Sequence, residues 1–151
     1  MISERRIEDI LKEEGVFVST TVGVSMYPML RNRRDTIIVR PYEGRLKKYD
    51  VPLYRKGELY VLHRIIEVRP DSYVICGDNC EQIEYGITDD QIIGVLTGFY
   101  RGSRQINMDG WGYKTYARYW CKTFPLRRLR GRVLRLASKI WRYIKKGVKR
   151  R

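Results

Sequence analysis

Apolar residues along this chain follow three spacings in turn. Near the start, Ile7, Ile10 and Leu11 recur at helical intervals among charged residues, and Gly15 follows. This predicts one short amphipathic helix over about residues 3–14. From there to about residue 100 the period shortens. The runs VFVSTTVGV, DTIIVR, ELYVLHRIIEV, SYVICG and QIIGVLTGFY are rich in Val, Ile, Tyr and Thr, and turn-forming Gly, Asp, Asn or Pro separates them. Several short strands at this spacing predict a mainly β body, a small folded antiparallel sheet or barrel-like unit. Pro52 has no N–H to give a ladder, so it is expected on an edge strand or at a bulge.

Beyond residue 110 the helical period returns. Tyr113, Tyr116, Tyr119, Trp120 and Phe124 mark one face, and Pro125 is expected to end or interrupt that segment. Leu126, Leu129, Val133, Leu136, Ile140, Ile144 and Val148 then mark a second face at i, i+3, i+4 and i+7 steps. The chain therefore divides into a β body over residues 1–100 and a helical, aromatic-rich tail over 101–151.

Charge sharpens that division. The 151 residues carry a formal net charge of +14. Residues 1–100 hold 14 Lys or Arg against 16 Asp or Glu, whereas residues 101–151 hold 17 against Asp109 alone. A near-neutral body thus carries a strongly basic tail, which implies an acidic partner for the tail. Arg127, Arg128, Arg132, Arg135, Lys139, Arg142, Lys145 and Lys146 lie largely off the apolar stripe, and all three tryptophans, Trp111, Trp120 and Trp141, lie in this region. Trp favours the headgroup zone, and a basic amphipathic helix can lie in the plane of the interface. Each basic residue near an anionic leaflet contributes ~1 kcal/mol. An anionic membrane surface is therefore the expected partner. Nucleic acid is the second choice, because no recognised DNA- or RNA-reading motif accompanies the charge. The sequence says nothing of oligomeric state.

No window approaches ~18 apolar residues, and the charged start MISERRIEDILKEEG lacks the apolar run of a secretory signal. Cys76, Cys80 and Cys121 are an odd number and make no disulfide framework. These features together lead to the expectation of a cytoplasmic, peripherally membrane-associated protein with reduced thiols and no metal or organic cofactor.

One segment stands out chemically. Val22-Gly23-Val24-Ser25-Met26-Tyr27-Pro28 places a serine between two extended runs. A serine becomes a nucleophile only when a base removes its proton. The sole histidine, His63, lies in the strand-like run Tyr60–Ile66, where a polar residue needs a reason. Gly77-Asp78-Asn79 is a turn after a third strand, and a carboxylate there could hydrogen-bond the imidazole and fix its tautomer. Met26 and Pro28 are expected to shape a groove beside the serine. Asp35 and Arg64 are expected to form a buried or semi-buried structural pair.

Serine-Met-x-Pro, then a basic residue plus Arg64 inside an apolar strand, then Gly-Asp-Asn, then the strand Ile92-Ile93-Gly94-Val95 resembles the type I signal peptidase clan, to which self-cleaving repressors are related. The likeness runs from about Val22 to Leu96, roughly half the chain. Histidine rather than lysine at position 63 is similar to the serine–histidine branch found in the endoplasmic reticulum, archaea and some spore-forming bacteria. The resemblance implies a hydrolase: a serine-type endopeptidase for precursor processing, folded as a β body with an exposed groove for an extended peptide. It implies small residues on the acyl side of the cut. Ser25 would be the nucleophile and His63 the general base. Asp78 would be the orienting carboxylate, with Glu84 as its rival because a second acid follows the turn in that branch. Gly23 stands where many relatives carry a hydroxyl that helps hold the oxyanion, which leaves the Ser25 N–H as the donor. An alternative is a non-catalytic module, with the body holding a peptide or the tail holding RNA.

Overall fold

The computed structural model describes residues 5–148. Helix α1 (Ile7–Glu14) opens the chain, with Leu11 buried and Glu8 and Asp9 in its first turn, where the helix dipole favours negative charge. The strands follow as β1 (Phe17–Thr20), β2 (Asp35–Arg40), β3 (Pro52–Lys56), β4 (Leu59–Leu62), β5 (Arg64–Val68), β6 (Tyr73–Cys76), β7 (Glu84–Ile87), β8 (Ile92–Arg101) and β9 (Arg104–Asn107). Helices α2 (Trp111–Lys122) and α3 (Phe124–Val148) close it. The protein is mainly β, with antiparallel sheets, a short N-terminal helix and basic C-terminal helices. Residue contacts divide the chain into one unit through Arg118 and a second from Tyr119.

Two sheets make up the first unit. The larger runs β1-β2-β8-β3-β4, and β9 pairs with β8. The smaller runs β5-β6-β7. β8 is the spine of the larger sheet, and buried residues alternate along its first five positions as expected for one face against a core. Register shifts at Ile38/Val39 and at Leu53/Tyr54 bend the sheet into a curled half barrel. Pro52 is the first residue of β3 and pairs in register with Val95. The shift falls one residue on, with Ile93 of β8 as the extra residue, so Pro52 is not itself at the bulge. A strand's first position tolerates its missing N–H. Nor is it on an edge strand, because β3 lies between β8 and β4.

Two apolar clusters fill the body. One gathers Leu11, Met26, Met29, Leu30, Val39, Val51, Leu53, Leu96 and Phe99. The other gathers Leu46, Tyr54, Ile65, Tyr73, Ile75, Ile87 and Ile92. Tyr113 and Tyr116, read from sequence as tail aromatics, pack against the first cluster. Pro125 lies in the first turn of α3, where a missing N–H is tolerated, and so α2 stops just before it.

The run ELYVLHRIIEV is not one strand. It breaks at His63, so that β4 belongs to the larger sheet and β5 to the smaller. An ion pair fixes the strand that follows the break. Arg64, the first residue of β5, donates from Nε to Asp78 Oδ1 and from Nη2 to Asp78 Oδ2, both at 2.7 Å. The two side chains are only 1% and 2% exposed. Arg64 Nη1 also donates to the Tyr49 carbonyl at 3.1 Å, and Nη2 lies 2.9 Å from Met29 Sδ. Tyr113 Oη accepts from Arg64 at 2.6 Å, and Tyr116 Oη donates to Asp78 Oδ2 at 3.2 Å. The expected Asp35–Arg64 pair is therefore corrected. Asp35 is buried, but its cation is Arg101, at 2.9 Å.

Removing one member of a buried, hydrogen-bonded ion pair leaves an uncompensated charge and costs ~3–5 kcal/mol. Arg64→Met and Asp78→Leu should each lower the free energy of denaturant unfolding by about that amount, and the double variant should recover much of the loss. Single variants as stable as the wild type would show that the pair holds nothing.

Candidate active site

His63 sits between β4 and β5, where the chain passes from the larger sheet to the smaller, and its ring meets Tyr54 of β3 and Glu84 of β7. On the Nδ1 side, Glu84 Oε1 lies 3.1 Å away. The Tyr54 hydroxyl donates to the same oxygen at 2.9 Å and lies 3.3 Å from Nδ1. Lys56 Nζ donates to the other oxygen, Oε2. Both His63 and Glu84 side chains are 12% exposed. Burial works against the Glu84 charge, yet the hydrogen bonds from Lys56 and Tyr54 and the nearby cations outweigh it and hold the carboxyl below its ordinary range. Burial, reinforced by Glu84, pushes the Tyr54 phenol far up, so it remains a donor.

These contacts assign the tautomer. An ionised carboxylate only accepts, and the Tyr54 proton points to it, so His63 Nδ1 must carry the hydrogen that meets Glu84. In the neutral ring Nε2 is then the bare, basic nitrogen. Burial lowers the His63 pKa from 6.5, and the opposing pull of Glu84 does not cancel that shift.

Nε2 faces the serine segment across Gly77. A Cβ at Gly77 would lie 3.0 Å from His63 Nε2, 2.8 Å from the Ser25 carbonyl oxygen and 2.7 Å from Cys80 Sγ. The imidazole and the Ser25 backbone thus share a space that only a glycine leaves open. The rest of the turn fastens the serine. Asn79 N donates to the Ser25 carbonyl at 2.7 Å, and Asn79 Nδ2 donates to the Val24 carbonyl at 3.2 Å. Among the described residues neither the Ser25 hydroxyl nor its N–H has a hydrogen-bond partner. The Gly23 N–H is engaged, donating to Asn32 Oδ1 at 2.9 Å, and a φ of 103° suits this position to glycine. The Ser25 N–H is therefore the donor left beside the hydroxyl.

A groove of about 410 Å³ opens on the same serine. Phe17, Ser19 and Thr20 of β1 line one wall and continue into Thr21, Val22 and Gly23. Tyr60, Val61 and Leu62 of β4 line the other, and Met26, Leu30, Ile37 and Leu53 contribute apolar surface. β1 and β4 are the two ends of the larger sheet's strand order, so the curl brings two unpaired edges to opposite sides of one trough. Met26 is both groove lining and core. Pro28 is not among the lining residues and follows a cis peptide in the serine turn.

Of the two acids singled out from the sequence, Glu84 is the one on His63 Nδ1, and Asp78 is the partner of Arg64. Sequence reasoning missed Tyr54 and Lys56. The signal for them was the alternation Tyr54-x-Lys56, which puts both side chains on one face of a strand. Among the described residues no group of three or more His, Cys, Asp or Glu side chains could hold a metal ion.

In the tail, Leu126, Leu129, Val133, Leu136, Ile140 and Trp141 are each more than half exposed, as is Trp111 in α2. Arg128 is half-buried, while Arg132, Arg135 and Lys145 are exposed. Arg127 lies over the Trp120 ring, its Cζ 3.7 Å from the centroid, and donates to the Trp120 carbonyl at 2.7 Å. The side chains of Lys139, Arg142 and Lys146 lie outside the described residues. Among the described residues no helix is long and apolar enough to cross a membrane. The chain matches no protein-family model and no curated protein.

The His63–Glu84 contact has a direct readout, because His63 is the only histidine. Glu84 pulls the His63 pKa upward against burial. Glu84→Gln should therefore move the NMR titration of His63 to lower pH. An unchanged midpoint would mean that the carboxylate does not act on the ring.

Proposed function

We propose that this protein is a serine endopeptidase of the signal-peptidase type, cutting an extended segment of a precursor peptide or protein. The observation that carries the reading is the two-sided placement of His63. Glu84 occupies Nδ1, and the bare Nε2 is turned to the Ser25 backbone at Gly77. The Ser25 hydroxyl attacks the scissile carbonyl while Nε2 takes its proton. The tetrahedral oxyanion accepts a hydrogen bond from the Ser25 N–H. His63 passes the proton to the leaving amine, which breaks the C–N bond and leaves an acyl ester on Ser25. Water then attacks the ester with His63 again as base, releasing the acid and restoring the serine. Glu84 remains ionised throughout and stabilises the imidazolium.

The groove supports an extended substrate. A peptide laid between β1 and β4 finds unpaired strand edges on both sides, and backbone pairing of this kind binds many sequences. The tail adds peripheral attachment to an anionic bilayer. The exposed stripe from Leu126 to Trp141 would enter the acyl boundary while the Lys and Arg side chains meet phosphates.

Ser25→Ala and His63→Ala should each abolish hydrolysis of an unstructured peptide library, with losses of ~10³-fold or more. Gly77→Ala should cost activity because its Cβ enters the Ser25–His63 space. Equal cleavage by wild type and Ser25→Ala would end the peptidase reading. The acid limb of kcat/KM should follow His63, with hydrolysis falling as Nε2 gains a proton and a midpoint below pH 6.5. A midpoint at or above 6.5 would contradict that assignment.

For the tail, the full chain should co-sediment with phosphatidylglycerol vesicles, less so at high salt. It should not co-sediment with phosphatidylcholine alone, and the pair Leu129→Glu, Leu136→Glu should release it. Equal binding to both vesicle types, or none, would remove the membrane.

A further inference from the structure

Glu84 has two carboxylate oxygens, and each has its own holder on β3. Tyr54 Oη donates to Oε1, the oxygen that meets His63 Nδ1, and Lys56 Nζ donates to Oε2. Tyr54 and Lys56 are two residues apart on one strand, so they project to the same face and reach one carboxylate together. The same strand pairs with β4, through Leu53 opposite Leu62 and Tyr54 opposite Val61, and β4 delivers His63 at its end. One strand thus holds both the carboxylate and, through its neighbour, the ring.

We propose that Tyr54 and Lys56 are positioning residues for His63, a two-point clamp in which the phenol aims Glu84 Oε1 at Nδ1 and the ammonium fixes Oε2. The inference rests on the peptidase reading only for its catalytic consequence. The effect on the ring itself stands on geometry. The two holders act differently. A carboxylate free to rotate would offer Nδ1 either oxygen or none. Tyr54, fully buried, removes that freedom by a hydrogen bond from an uncharged donor. Lys56, about half exposed, adds charge.

That charge has a consequence for pH. The groups facing His63 are Tyr54 and Lys56 from β3, Glu84 from β7, and Asp78 and Cys80 from the turn. Glu84 and Asp78 favour the imidazolium, whereas burial and Lys56 favour the neutral ring. Lys56 offsets part of the Glu84 field and so keeps His63 a free base at lower pH. Without it the unbalanced carboxylate raises the pH at which Nε2 becomes available.

The test follows His63 by NMR in the full chain, where it is the only histidine signal, alongside peptide hydrolysis. Lys56→Met should move the His63 midpoint and the acid limb of kcat/KM upward together, and Lys56→Arg should restore both. Tyr54→Phe, which keeps the ring volume, should shift the ¹⁵N signals from Nδ1–H toward a tautomer mixture. It should also lower kcat with little change in KM. Unchanged midpoint and tautomer signals in Lys56→Met and Tyr54→Phe would overturn the clamp. Lys56 is half exposed and Tyr54→Phe is nearly isosteric, so both variants keep the fold. If the NMR changes occur but wild type hydrolyses nothing, the clamp stands and the peptidase reading falls.

Discussion

The architecture of the site depends on one buried ion pair. Arg64 and Asp78 are charges withdrawn from water, tolerable only because each is fully engaged. Their engagement ties together segments that are distant in the chain. Met29 comes from the serine turn, Tyr49 from the loop before β3, Asp78 from the turn after β6, and Tyr113 and Tyr116 from the first half of α2. The residue before Arg64 is His63, and the residues flanking Asp78 are Gly77 and Asn79, which pack on and hydrogen-bond the Ser25 backbone. Fixing Arg64 on Asp78 therefore fixes His63 beside the Ser25 backbone.

This explains a division of labour between two acids. A carboxylate bound bidentately to a buried guanidinium has its oxygens committed, and Asp78 accepts from Tyr116 as well. Glu84 is held differently, by a lysine and a phenol, with one oxygen shared between Tyr54 and the imidazole. One acid holds the framework and the other holds the imidazole. Burial around His63 keeps the ring neutral, and the Glu84 hydrogen bond decides which nitrogen is bare.

Much of the fold was legible in period and turn residues. The first helix, the strands DTIIVR, SYVICG and QIIGVLTGFY, and the interruption at Pro125 emerge close to where the pattern put them. The proximity of three segments followed their order along the chain: Ser25, His63 and the Gly-Asp-Asn turn lie together. Other features depend on tertiary partners and leave no local trace. The break at His63 is invisible in an unbroken apolar run, because changing sheets alters the partners and not the hydrophobicity. The strand β9 is polar and short, and pairing with β8 defines it. The spacing of Tyr113 and Tyr116 showed a helix face but not that their hydroxyls close an ion pair. The choice between Asp78 and Glu84 was open because one lies in the turn and the other closely follows it. The folded chain puts Glu84 on His63 Nδ1 and Asp78 on Arg64, which local sequence does not show.

The central claim is that Ser25 is a nucleophile made reactive by His63. Mass-spectrometric mapping of the protein after reaction with a fluorophosphonate, which acts on an activated serine and not on an ordinary one, tests it most directly. The account predicts a single adduct, on the Ser25 hydroxyl, and its disappearance in His63→Ala. An adduct elsewhere, an adduct on Ser25 that forms as fast without His63, or no adduct at all would contradict it.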